Sequence, residues 1–183
     1  ADKNADYLDV RTLDLADVEP YVVLPDAIPK NGRRFSEFKD TVRIDQAFIG
    51  SCANGLIEDL RVAAAIVRGR KVADGVRFIV TPGSQAVYLQ ALREGLVETL
   101  IDAGAVVTNS TCGACLGYHM GVLAPGEVCI TASPRNFKGR MGSHDAQVYL
   151  GSPATVAASA LAGVITDPRT DTRTDARIER RRA

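Results

Sequence analysis

From residue 44 to 166 the chain alternates between short apolar runs and longer segments in which apolar residues recur every three or four positions. The runs "IDQAFIG" (44–50), "VRFIVTP" (76–82), "AVVTNS" (105–110) and "EVCITAS" (127–133) are too short for buried helices and read as buried strands. After the first run, "NGLIEDLRVAAAIVRGRKV" carries Leu56, Ile57, Leu60, Ala63, Ala64 and Val67 at helical spacing. Ser84 caps a predicted helix in "QAVYLQALRE", and Gly95 stops it. "LVETLIDAG" predicts another short helix. "SPATVAASALAGV" predicts a last one, with Ser152 as cap and Pro153 at the first helical position. Strand and helix alternating through short links predict an α/β fold, a three-layer αβα sandwich around a mainly parallel sheet of about four strands.

The flanks have a different texture. Residues 1–43 are polar, with short alternating stretches such as "YLDVRTLDL" and a turn-rich connector, "LPDAIPKNGRR". They read as an N-terminal extension holding an edge strand or two. Residues 44–166 form the αβα domain. Residues 167–183, dense in Arg, Asp and Thr, read as a disordered tail. No internal repeat is visible, and no GxGxxG follows the first strand, which argues against a dinucleotide-binding fold.

Composition narrows the classes. The 183 residues are 46% hydrophobic and 24% charged, ordinary for a soluble globular protein. Lys plus Arg and Asp plus Glu both total 22, so neither nucleic acid nor a membrane surface is an expected partner. No apolar run is long enough to span a bilayer. "ADKNADYLDV" lacks the apolar centre of a secretory leader, and four cysteines are too few for a disulfide scaffold. A cytoplasmic location is expected, where clustered cysteines bind metal or do redox chemistry.

Three segments collect the chemically active residues: "GSCANG" (50–55), "TCGACLG" (111–117) and "SPRNFKGR" (133–140). Each directly follows a predicted strand. In a parallel sheet those positions share the carboxyl edge, where such sheets bind ligands. Cys52, Cys112 and Cys115 can therefore converge despite their separation in sequence. Taken alone, the Cys112–Cys115 pair suits a redox disulfide, half a zinc site or half an iron–sulfur site. His119 can complete a Cys3His zinc site or serve as an ordinary structural histidine. Three thiolates without a fourth ligand leave an open metal position, on zinc or on one iron of a four-iron cluster. Arg135 and Arg140, in one Gly-containing loop beside the thiolates, suit bidentate capture of carboxylates. Cys129 alternates with Val128 and Ile130 inside a strand and reads as a small buried hydrophobe. His144 reads as a loop residue.

These motifs, in order and spacing, resemble the aconitase superfamily: "GSCANG…IEDLRVAAAI", "TCGACLG" and "RNFKGRMGS…DAQVYLGSPATVAASALAG". The resemblance spans roughly residues 7–168. It is strongest to the third, cluster-binding domain in the branch of the isopropylmalate dehydratases and homoaconitases. It implies a [4Fe–4S] cluster with Cys52, Cys112 and Cys115 as metal ligands. It also implies that Arg135 and Arg140 bind the carboxylates of a hydroxy-di- or tricarboxylic acid substrate. The implied activity is that of a hydro-lyase that isomerises a hydroxy-acid by dehydration and rehydration, with a place in leucine biosynthesis. The implied partners are the remaining domains of a large subunit and a small swivelling subunit. Those partners carry the other catalytic groups, so no catalytic residue is expected in this chain and no turnover from it alone. Two departures stand out. Pro134 occupies a position that is usually Asn in the family, and Ala53 replaces the Thr of a Ser-Cys-Thr-Asn pattern.

Overall fold

The computed structural model describes residues 2–26 and 31–170. The first regular strands are Tyr21–Val23 (β1) and Gly32–Arg34 (β2), followed by the buried strand Gln46–Gly50 (β3). Ser51–Asn54 (α1) and Ile57–Val67 (α2) lead to Arg77–Thr81 (β4), then to Gln85–Arg93 (α3) and Leu96–Asp102 (α4). Val106–Val107 (β5), Gly113–Leu116 (α5), Val128–Thr131 (β6), Gln147–Leu150 (β7) and Pro153–Ala162 (α6) complete the order.

The caps match the reading of the sequence. Ser84 Oγ accepts the Val87 N–H at 3.2 Å, and Ser152 Oγ accepts the Thr155 N–H at 3.1 Å. Gly95, with φ +69°, separates α3 from α4. At α2 the helix begins one residue later than the apolar period suggests. Leu56 stands at the N-cap with its side chain half exposed, and its N–H is taken by the Asp59 carboxylate at 3.0 Å.

All seven strands join one sheet in the order β2-β1-β7-β6-β3-β4-β5. The five strands from β7 to β5 run parallel, and β1 and β2 add an antiparallel edge. The sheet is thus larger than the four strands expected. β7 is short and emerges from a polar loop, so its apolar signal is only Val148, Tyr149 and Leu150. The N-terminal edge is built by Tyr21–Val23 and Gly32–Arg34, whereas the alternating stretch 7–15 lies exposed. The expected tail begins with a 3-10 turn, Pro168–Thr170, held by Arg169 to Glu19 at 3.2 Å. Its remaining residues, 171–183, lie outside the described ones.

Alternation along the strands sorts the core into two clusters. Ala47, Ile49, Phe78, Val80, Ile130 and Tyr149 face the layer of long helices, packing with Leu60, Val67, Leu100 and Val156. The intervening Phe48, Ile79, Cys129 and Val148 face the other way, against Ala114, Cys115, Leu123 and Met141. That second outer layer consists of α5 and the connecting segments around it. Among the described residues, no helix is long and apolar enough to cross a membrane.

Candidate functional site

The chain leaves β3 for β4 and β5 on one side, then returns to lay β6 against the opposite side of β3. The strand order reverses between β3 and β6, and a parallel sheet opens its ligand crevice at such a point. The segments leaving those two strands are "SCAN", with Cys52, and "SPRNFKGR", with both arginines. The Asn54 amide donates to the Ala132 carbonyl and ties the two strand ends together.

Glycine makes the first turn possible. A Cβ at Gly55 would lie 2.6 Å from the Thr81 carbonyl oxygen and 2.8 Å from the Gly83 nitrogen. The backbone after β3 therefore rests directly on the end of β4. Ser51, buried, takes φ +79°, an unusual conformation for a side chain with a Cβ. Cys52 follows it, exposed.

Cys112 and Cys115 start from β5, two strands from β3, yet α5 lies back against β3. Cys112 is exposed at the N-cap, whereas Cys115 is buried within the lower cluster beside Phe48, Cys129 and Met141. So Cys115 reaches the site from beneath the sheet edge rather than along it. Gly117 brings this turn onto the arginine loop: a Cβ there would lie 2.7 Å from the Gly142 nitrogen and 3.1 Å from the Arg140 carbonyl oxygen. The two backbones touch with no side chain between them.

The arginine loop is pinned by Asn136. Its amide donates to the Leu24 carbonyl at 2.7 Å and the Val148 carbonyl at 3.0 Å. Arg135 is exposed. Arg140 is half-buried, with its guanidinium 5.5 Å from the Phe137 ring centroid and Nη2 donating to Cys115 Sγ at 3.7 Å. Its Nε is buried with no hydrogen-bond partner, as is Ser110 Oγ two residues before Cys112.

The structure thus brings Arg140 to Cys115 and places Cys52 and Cys112 exposed on the turns after β3 and β5. Among the described residues, no group of three or more His, Cys, Asp or Glu side chains is arranged to hold a metal ion, and all four cysteines are free thiols. His119 is exposed, with Nε2 3.4 Å from Thr111 Oγ1. His144 is exposed and packs against the Gly139 backbone. Cys129 is fully buried, and burial pushes its thiol up to about 12, so it stays protonated.

Three features escaped the sequence reading. Asn54 and Asn136 serve as clamps for the two loops, although only Asn54 lies in a cysteine motif. An open cleft of about 420 Å³ lies beside the switch point, lined by Tyr21, Val23, Asn54, Pro134, Leu150 and Ser152 among others. Pro134 contributes an apolar surface to that cleft. Gln46, wholly buried, carries a polar network on the lower face. An amide side chain inside a run read as a buried strand was the available signal.

Known proteins resemble this chain in sequence. The family model described as "Aconitase family (aconitate hydratase)" matches residues 1–163. The 3-isopropylmalate dehydratase large subunit of Mycolicibacterium smegmatis is 61% identical over 169 residues, which are 92% of this chain and 40% of that protein. The large subunit of the same name from Clostridium botulinum is 54% identical, again over 92% of this chain and 40% of the relative. That of Caldicellulosiruptor saccharolyticus is 51% identical over 92% of this chain and 39% of its own length. The chain spans about two fifths of the length of the curated relatives it matches.

Proposed function

This chain belongs to the aconitase family, and from that premise we propose that it is the cluster-bearing part of a hydro-lyase of the 3-isopropylmalate dehydratase type. Cys52, Cys112 and Cys115 would hold a [4Fe–4S] cluster, and Arg135 and Arg140 would bind the carboxylates of a hydroxy-acid substrate. The observation that carries this reading is the seating of Arg140 on Cys115, where a thiol and a guanidinium from separate segments meet.

The donor set suits the group. Thiolates are the ordinary ligands of iron–sulfur clusters, and two of the three thiols lie open to solvent. Arg140 Nε, on the guanidinium that contacts Cys115, is buried without a partner, as expected of a site whose ligand supplies one. When bound, the cluster supplies Lewis-acid chemistry at the iron that no cysteine holds.

This chain's own residues do the rest. Arg140, stacked on Phe137, presents a planar fork of donors suited to a carboxylate. Arg135, exposed on the same loop, can take a second carboxylate. Asn136 and Gly117 hold that loop in register with the cysteine turn. The remaining catalytic groups would come from the rest of a large subunit and from a small subunit in the cytoplasm, so the chain alone would not turn over substrate.

Anaerobic treatment of the full chain with iron and sulfide tests the reading. A brown protein with broad visible absorption is expected, and Cys52→Ser, Cys112→Ser or Cys115→Ser should each remove it. A chain that stays colourless and instead holds one zinc, lost in His119→Ala, would replace the reading with a zinc module.

A further inference from the structure

Gln46 opens β3 on the sheet face turned toward α5 and is wholly excluded from solvent. Its amide is fully used. Nε2 donates to the Gly121 carbonyl at 2.9 Å and lies 3.9 Å from Cys129 Sγ. Oε1 accepts from Arg77 Nε at 3.1 Å. Arg77 also forks onto Glu127, with both nitrogen–oxygen contacts at 2.7 Å, and Glu127 accepts the Ala124 N–H at 2.8 Å. One amide thus bridges from β4 across β3 and grips the segment between α5 and β6.

The carbonyl it grips belongs to the residue beneath the cysteine turn. Gly121, at φ +122°, has no room for a side chain: a Cβ there would lie 2.5 Å from Ile79 Cδ1, 3.1 Å from Ala114 Cβ and 3.2 Å from Gln46 Oε1. Ala114 precedes Cys115 in α5. Moving Gly121 therefore moves the floor on which Cys115 stands, and a close-packed interior transmits such a shift rather than absorbing it.

We infer that Gln46, anchored by Arg77 and Glu127, is a positioning residue for Cys115: it holds the Gly121 carbonyl and so seats α5 against β3. Its importance to a cluster rests on the proposed function, but the positioning itself is measurable without metal. Gln46→Leu removes both bonds. Gln46→Glu keeps the acceptor for Arg77 but turns a carboxylate toward the Gly121 carbonyl.

The reduced, metal-free full chain is pulse-labelled with iodoacetamide, and each cysteine is read by peptide mass spectrometry, with urea unfolding in parallel. Cys115 should label roughly tenfold faster in both variants, the scale of one lost buried hydrogen bond. Cys52, on the separate turn after β3, should keep its rate. If neither variant folds, Arg77→Met, which cuts only the anchor, should show the same selective rise at Cys115. An unchanged Cys115 rate in the folded variants, or Cys52 and Cys115 accelerating together, would overturn the inference. Iron uptake by the unaltered chain separately tests the proposed function, so the two can fail independently.

Discussion

Arg140 Nη2 donates to Cys115 Sγ at 3.7 Å, while Nε of the same guanidinium is buried without a partner. A sulfur is a weak acceptor, so this contact leaves much of the arginine's hydrogen-bonding capacity unused. Such a side chain contributes little to folding. Arg140→Met should therefore stay within about 1 kcal/mol of the parent in urea unfolding, the lost cation–π contact being offset by removal of an unsatisfied polar atom. A loss above about 2 kcal/mol would mean that the arginine serves the fold instead.

Gly117 should behave differently. Its φ is +72°, and a Cβ would press on the Gly142 nitrogen and the Met141 carbonyl carbon, at 2.7 and 2.8 Å. Gly117→Ala should cost about 2 kcal/mol or more, since conformational strain adds to a clash between backbones. Gly126, at φ +80° with open space around it, isolates the strain. Gly126→Ala should cost about 1 kcal/mol. Equal losses in urea unfolding would show that the two loops do not meet as described.

Cys129 predicts an alkaline limit. Its thiol is held protonated in the folded chain, up to about 12, against an ordinary value of 9.0. The unfolded chain releases that proton first, so stability is fully present below the ordinary value and falls as pH rises beyond it. The slope is about 1.4 kcal/mol per pH unit. Unfolding measured between the ordinary and the raised value should include this slope, added to that of Tyr149, whose hydroxyl is likewise pushed up by burial, and Cys129→Ala should lower the total by the cysteine's share. An unchanged slope in the variant would assign it elsewhere.

Glu127 works at the acid end. Its hydrogen bonds from Arg77 hold the carboxyl below its ordinary value of 4.5. A depressed carboxyl contributes stability above that ordinary value and loses it as pH falls through the folded one. The pair is partly solvent-screened, so Glu127→Gln should cost about 0.5–1 kcal/mol at neutral pH. The difference should shrink below pH 4.5. A difference that stays constant into the acid range would argue against the ion pair.

Much of this was legible along the chain because it depends on neighbours in sequence. The parallel strands other than β7, the caps at Ser84 and Ser152, and the stop at Gly95 follow from local spacing and side-chain chemistry. The three motif segments could be assigned to one edge because each follows a strand, and parallel strands end on the same side. The short β7 and the exact place of the antiparallel edge within residues 1–43 were not legible. Three or four residues carry too little pattern to be told from a loop without the neighbour that pairs with them.

The sequence by itself determined the α/β alternation, the family resemblance and the identity of the thiols and guanidiniums. Only the tertiary structure decided their arrangement. It placed β6 beside β3, which sets the switch point between "SCAN" and "SPRNFKGR". It folded the Cys112–Cys115 turn back beneath the sheet edge, burying Cys115 against Arg140, and gave Gln46 its grip on Gly121. The physical reason is the range of the forces involved. Propensity and capping act over a few residues, whereas strand order and the meeting of two loops come from burying apolar faces and satisfying polar groups brought together from distant parts of the chain.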